Sequence, residues 1–203
     1  MMSIKTKQKG ISLIEVLIAV TILSFIGIGL VSLQYILTQN QILVTRSYKS
    51  VDEANLIIST FIKEIRAAKT SDNGAYSLFN VDDQSIGFYS DIDLDGSTEK
   101  VRYFLNEHNL YKGVIEPSGY PAQYNQDTET VITLNENIYN ETPVFYYYNA
   151  DWPEDIINNP LGMTNRLADT RSVKIYLLVK NGDTANGYEV ESISNIRMLK
   201  DNL

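Results

Sequence analysis

Lys9-Gly10-Ile11-Ser12-Leu13-Ile14-Glu15-Val16 opens the stretch that decides the fold, and an apolar run continues from it through Leu33. Residues 11–33 are almost unbroken in their hydrophobicity. About 20 such residues suffice for a helix to cross a bilayer. Lys5, Lys7 and Lys9 precede the run, and no Lys or Arg follows until Arg46. That asymmetry predicts an N-terminus in the cytoplasm and a body outside. A cleaved secretory signal fits poorly. Its apolar core would be shorter and would end in a small-x-small site, where this chain has Leu33-Gln34-Tyr35-Ile36-Leu37. A plain signal-anchor helix fits the length and the lysines but leaves Glu15 unexplained. Glu15 is the only charge in the span. A carboxylate at the bilayer centre costs about 2.5–3.5 kcal/mol on insertion scales, and less near an interface. No basic residue lies within reach on its helix face, so its expected partner is another chain or a newly made amino terminus.

These residues resemble the processing motif of type IV prepilins and type II secretion pseudopilins. The shared pattern is a short basic leader, a Gly before the cut, a Glu four residues past the new N-terminus, and an uninterrupted apolar helix. The resemblance implies that prepilin peptidase cuts between Gly10 and Ile11 on the cytoplasmic face and that Ile11 is N-methylated. It also implies that Glu15 pairs with the charged N-terminus of a neighbouring pilin or pseudopilin subunit during assembly at an inner-membrane platform. In lipid, an unpaired carboxylate and an unpaired ammonium are both costly, so joining them would set an axial register between chains. Two positions depart from the common pattern of major pilins. Ile11 stands where many have Phe or Met, and Ser32 where many have a helix-disturbing proline. Both lean toward a minor subunit.

Beyond the span, Val44, Tyr48, Val51, Ala54, Ile58, Phe61 or Ile62, and Ile65 recur at steps of three and four, one face of a helix. Arg46, Lys49, Asp52, Glu53, Lys63, Glu64 and Arg66 are expected off that face, with Lys49 and Glu53 paired at the four-residue spacing. The helix is expected to end near Lys69, before Thr70-Ser71-Asp72-Asn73-Gly74. At 1.5 Å per residue, roughly 58 residues make a rod of about 87 Å. Two helices with a kink near 34–41 are the alternative. Gly27 and Gly29 would either relax the helix locally or aid close packing.

After Gly74 the pattern becomes short strands, expected at 76–81, 85–90, 100–106, 110–115, 130–134, 144–148, 173–180 and 188–198. Glu107-His108-Asn109 and Asn181-Gly182-Asp183 read as hairpin turns, which makes the strands antiparallel. Polar stretches 116–129 and 149–170 read as surface excursions. The fold class is therefore α+β and pilin-like: a long N-terminal helix, its first half transmembrane, packed on an antiparallel β-sheet body. The organisation is a leader at 1–10, an apolar assembly half at 11–33, an amphipathic half at 34–69, and a body at 70–203. Leu134-Asn135-Glu136-Asn137-Ile138, Val144-Phe145-Tyr146-Tyr147-Tyr148, Asp151-Trp152 and Arg171-Ser172-Val173-Lys174-Ile175-Tyr176-Leu177 are similar to the J-type minor pseudopilin group.

Composition narrows the function. The chain has 203 residues, 17 Lys and Arg against 25 acids, and a net charge of −8. Three of the 17 lie in the leader, so the body is more acidic still. General nucleic-acid binding is not expected, since such a body has little to replace phosphate counterions. There is no cysteine, which excludes disulfides, thiolate metal sites and a Cys nucleophile. His108 is the single histidine, so a multi-histidine zinc site is excluded and any His-based triad must use it.

Asp91-Ile92-Asp93-Leu94-Asp95-Gly96-Ser97-Thr98-Glu99 is the sharpest local feature of the body. Alternate aspartates followed by Gly resemble the start of a calcium loop. The twelfth position of an EF-hand, which needs a bidentate Glu, is Arg102, so an intact EF-hand is excluded. Asp91, Asp93, Asp95 and Glu99 are the candidate Ca²⁺ ligands, and a solvated hairpin turn is the plain alternative. Tyr146, Tyr147, Tyr148 and Trp152 form either a recognition platform or a half-buried strand, the second being the usual case. His108 reads as an exposed turn residue. Ser118-Gly119 lacks the glycines of a nucleophile elbow, and the adjacent acids Glu154-Asp155 define no shared site.

A minor pilin or pseudopilin, structural rather than enzymatic, is the first expectation. Its location would be the lipid bilayer of the inner membrane and then a pilus or pseudopilus, with a tip or initiation role for a bulky body. A membrane-anchored, adhesin-like binding module that does not polymerise is the alternative, with Ca²⁺ as its possible ligand. A tethered enzyme is disfavoured by the residue inventory.

Overall fold

A computed structural model describes residues 10–180 and 187–199, without side chains at 43–47. Lys5, Lys7 and Lys9, the turn Asn181-Gly182-Asp183, and the side chains of Val44 and Arg46 therefore lie outside the described residues. The chain divides into two compact units, Met1–Arg46 and Ser47–Leu203.

In the first unit, the helix α1 (Leu13–Arg66) begins one residue after Ser12 and passes through 34–41 without a break. From Leu13 to Ile42 it is long and apolar enough to cross a membrane, and none of its most apolar window is buried. That span exceeds the expected 11–33. Its hydroxyls turn inward on the helix. Thr21, Ser24, Ser32 and Thr38 each donate to a carbonyl three or four residues earlier, at 2.8–2.9 Å. A polar group bonded in this way makes no demand on apolar surroundings.

In the second unit, α1 continues with a sharply amphipathic face. Ala54, Ile57, Ile58, Phe61 and Ile65 are buried. Tyr48, expected on this face, is exposed, and Val51 is half-buried. The expected Lys49–Glu53 pair forms at 3.6 Å on the exposed side. Helix α1 ends at Arg66 rather than near Lys69, because the Lys69 N–H is taken by the Tyr89 carbonyl at 2.9 Å.

Among the described residues, two antiparallel sheets complete this unit. The first has five strands in sequence order: β1 (Leu78–Val81), β2 (Ser85–Ser90), β3 (Glu99–Asn106), β4 (Asn109–Ile115) and β5 (Thr130–Asn135). The second has three: β6 (Phe145–Tyr148), β7 (Ser172–Val179) and β8 (Tyr188–Asn195). The α+β layout is the expected one. Phe61 joins the layers, its ring 5.2 Å from Tyr103 and 6.2 Å from Phe88 in the first sheet and 5.5 Å from Phe145 in the second. Strand β8 stops at Asn195, short of the expected 198, because Ile196 buries its side chain and donates its N–H to the Arg171 carbonyl. Segment 149–170 is more than a surface excursion. It contains the short helix α2 (Arg166–Asp169), in which Arg166 is buried over the Tyr147 ring and bonded to Asp83 at 2.8 Å.

Candidate functional site

The start of α1 carries the first candidate set. Gly10 is exposed and lies outside the helix, and Ile11 is exposed too. Ser12 occupies the N-cap position. Its carbonyl accepts from the Glu15 and Val16 amides at 3.1 and 3.3 Å. Its own N–H donates to Glu15 Oε2 at 3.1 Å. Ser-x-x-Glu at a helix entry is the capping-box pattern, in which the Glu satisfies an orphan donor and faces the positive end of the helix dipole. Glu15 thus has a partner within its own chain, where the sequence pointed only to another chain or a new terminus. The bond holds the carboxylate at the end of the helix, three positions from the backbone of Ser12 and four from Ile11. Among residues 11–42 it remains the only charge.

The turn between β2 and β3 carries the second set. Strand register places Ser90 opposite Glu99, so both turn ends are fixed by the sheet. The structure brings together oxygens of Asp91, Asp93 and Glu99, all within 4.8 Å of one another. Asp95, also expected there, is not in this group. Its Oδ1 accepts from the Ser97 N–H at 2.7 Å, and Asp93 Oδ1 accepts from the Asp95 N–H at 3.2 Å. Glu99 is wholly buried. Its Oε2 accepts from the Ile92 N–H at 2.7 Å, while Oε1 is buried without a hydrogen-bond partner. Asp91 Oδ1 is likewise buried and unpartnered, and Asp91 Oδ2 faces Lys69 at 3.6 Å. A buried acceptor left unsatisfied costs about 1–3 kcal/mol, more if charged. Burial pushes the Glu99 carboxyl above its usual range. The Ile92 amide opposes that shift, while Glu116 and Asp93 add to it. Glu116 is raised as well, by desolvation and then by Asp93 and Asp95. Sequence spacing did not find Glu116, which arrives from beyond β4.

Neighbouring elements fix this turn. Asp72 accepts from both the N–H and the hydroxyl of Thr98, at 2.9 and 2.8 Å. Tyr124 donates its hydroxyl to the Thr98 carbonyl at 2.6 Å.

The other residues singled out in the sequence have structural roles. Tyr147 is buried, its hydroxyl donating to the Asp82 carbonyl at 2.7 Å. Tyr148 is buried against Trp152, with ring centroids 4.6 Å apart. His108 is exposed in its turn, as expected, and stacks on Tyr139. Ser118 pairs with Gln123 in a small bridge, and Asp155 caps its own loop at Ile157 and Asn158.

Residues 5–31 match the prokaryotic N-terminal methylation motif. No curated protein shows a match to the chain. The match spans the basic N-terminal residues and the first part of α1, and a motif of this kind supports a type IV pilin-like or pseudopilin precursor.

Proposed function

We propose that this chain is a minor pilin or pseudopilin subunit, nearest in kind to the J-type group. It is anchored in the inner membrane with its body outside, and cut by prepilin peptidase between Gly10 and Ile11. Ile11 is then methylated, and the mature chain assembles with other pilin-like subunits through α1. The observation that carries this reading is Glu15, the lone charge on an exposed apolar helix, within the stretch that matches the methylation motif. Exposure of nearly every apolar side chain from Ile11 to Ile42 supports it, since such a surface requires lipid or other helices around it. The capping geometry adds a physical detail. Glu15 is held beside the backbone that becomes the new terminus, so the acid stays at the helix end until a neighbouring ammonium meets it. The role is structural rather than enzymatic.

Coexpression with prepilin peptidase followed by intact-mass measurement tests the reading. The expected product lacks residues 1–10 and carries one added methyl group. In Glu15→Ala, cleavage should persist while incorporation into filaments falls. An uncut chain would favour the non-polymerising anchored module instead, and incorporation unchanged by Glu15→Ala would overturn the role of Glu15 in setting the register between subunits.

A further inference from the structure

From the convergence of Asp91, Asp93 and Glu99 we infer a divalent-cation site at the β2–β3 turn, selective for Ca²⁺. Asp91 and Asp93 stand on a short turn and Glu99 opens β3, where it is paired with Ser90 of β2. An acidic turn alone would be an ordinary solvated loop. Here Glu99 is fully buried and presents an oxygen without a partner, and Asp91 contributes a second buried oxygen in the same condition. These oxygens lack donors from the protein, and Lys69 reaches only the other oxygen of Asp91. A hard cation satisfies both.

Ligand type and spacing select the ion. An all-oxygen carboxylate set suits Ca²⁺ or Mg²⁺ and disfavours softer metals. Ca²⁺ holds oxygens at about 2.3–2.6 Å in irregular arrangements, so two ligands on one ion stand up to about 5 Å apart. The observed spread, within 4.8 Å, lies inside that span. Mg²⁺ demands near-octahedral geometry at about 2.0–2.1 Å, keeps several waters and usually takes one or two carboxylates, so a set of three suits Ca²⁺ better. Asp95 keeps a structural task, bonding the Ser97 amide, and stays outside the first sphere. This site is independent of the filament reading: a non-polymerising body would bind the ion equally well.

The test is thermal unfolding of the full chain in detergent, with chelator, CaCl₂ or MgCl₂. Millimolar CaCl₂ should raise the midpoint, as binding to the folded state alone requires, and MgCl₂ should raise it less. Glu99→Gln and Asp93→Asn should each abolish the Ca²⁺ increment. Asp95→Asn removes the same charge and should keep it, which separates a specific site from general binding to an acidic body. In chelator, Glu99→Gln should unfold no earlier than the parent, because it removes the charge of a buried carboxylate, one of whose oxygens has no hydrogen-bond partner. No Ca²⁺ increment in the parent would overturn the site. So would an undiminished increment in Glu99→Gln, or its loss in Asp95→Asn. An equal increment with MgCl₂ would overturn the choice of ion.

Discussion

Glu64 lies on the buried face of α1, only 9% exposed, where its alternating neighbours are apolar. It forms an ion pair with Lys112 of β4 and accepts the hydroxyl of Tyr103 of β3 at 2.7 Å. Burial and the adjacent carboxylate push the Tyr103 hydroxyl far above its usual range, so it stays protonated as the donor. Periodicity assigned Glu64 to the solvent side because a charge normally goes there. Its partners are more than 35 residues away in sequence and no local pattern announces them. Glu99 was legible as an acid near a turn but not as a buried one, since its burial follows from its opposition to Ser90 across the sheet. Cutting one member of a buried pair strands the other. Glu64→Ala should therefore cost about 3–5 kcal/mol, while Glu64→Leu combined with Lys112→Met should recover most of it. Denaturant unfolding followed by Trp152, the single tryptophan, measures both. A loss below 1 kcal/mol in Glu64→Ala would show that the pair is not buried as described.

At the scale of elements, all eight strands were legible, because alternation and turn residues are local signals. Strand ends were less so. Expected and observed boundaries agree at β2, whose flanks are a turn and an acidic loop. They differ at the end of α1 and at β8, where the deciding hydrogen bonds run to Tyr89 and Arg171, distant in sequence. The β3–β4–β5 face shows a second non-local device. Arg102 of β3 forms a two-pronged ion pair with Glu129, just before β5, so the pair crosses above β4. Gly113, opposite Arg102 in β4, leaves the room: a methyl group there would collide with the Glu129 carboxylate. Gly113→Ala should thus displace the Glu129 carboxylate, break its ion pair and destabilise the protein by about 0.2–1 kcal/mol, the range for a partly exposed pair. Arg102→Ala should remove most of the further loss caused by Gly113→Ala, because no pair then remains to be broken. Comparing unfolding free energies of the two single variants and the double variant checks this coupling.

At the scale of the whole molecule, the division into units has a consequence for folding. The buried apolar cluster begins at Ala54 and ends at Ile196, so every member belongs to Ser47–Leu203. The first unit contributes a helix whose large apolar side chains are exposed. This contrast was readable from the sequence: an unbroken apolar run has no polar face to turn to water, whereas a run with steps of three and four does. A chain starting at Ser47 should therefore fold cooperatively, stay monomeric without detergent, and keep the near-ultraviolet signal of Trp152 packed on Tyr148. Its helix segment, Ser47–Arg66, draws its stability from packing of its amphipathic face rather than from propensity, and Phe61 fastens it to both sheets. The full chain should need detergent or lipid to remain dispersed. Both expectations come from one asymmetry, so they stand together. A fragment that bound hydrophobic dye and unfolded without cooperativity would mean that the body draws its stability from the apolar helix, contrary to where the buried cluster lies.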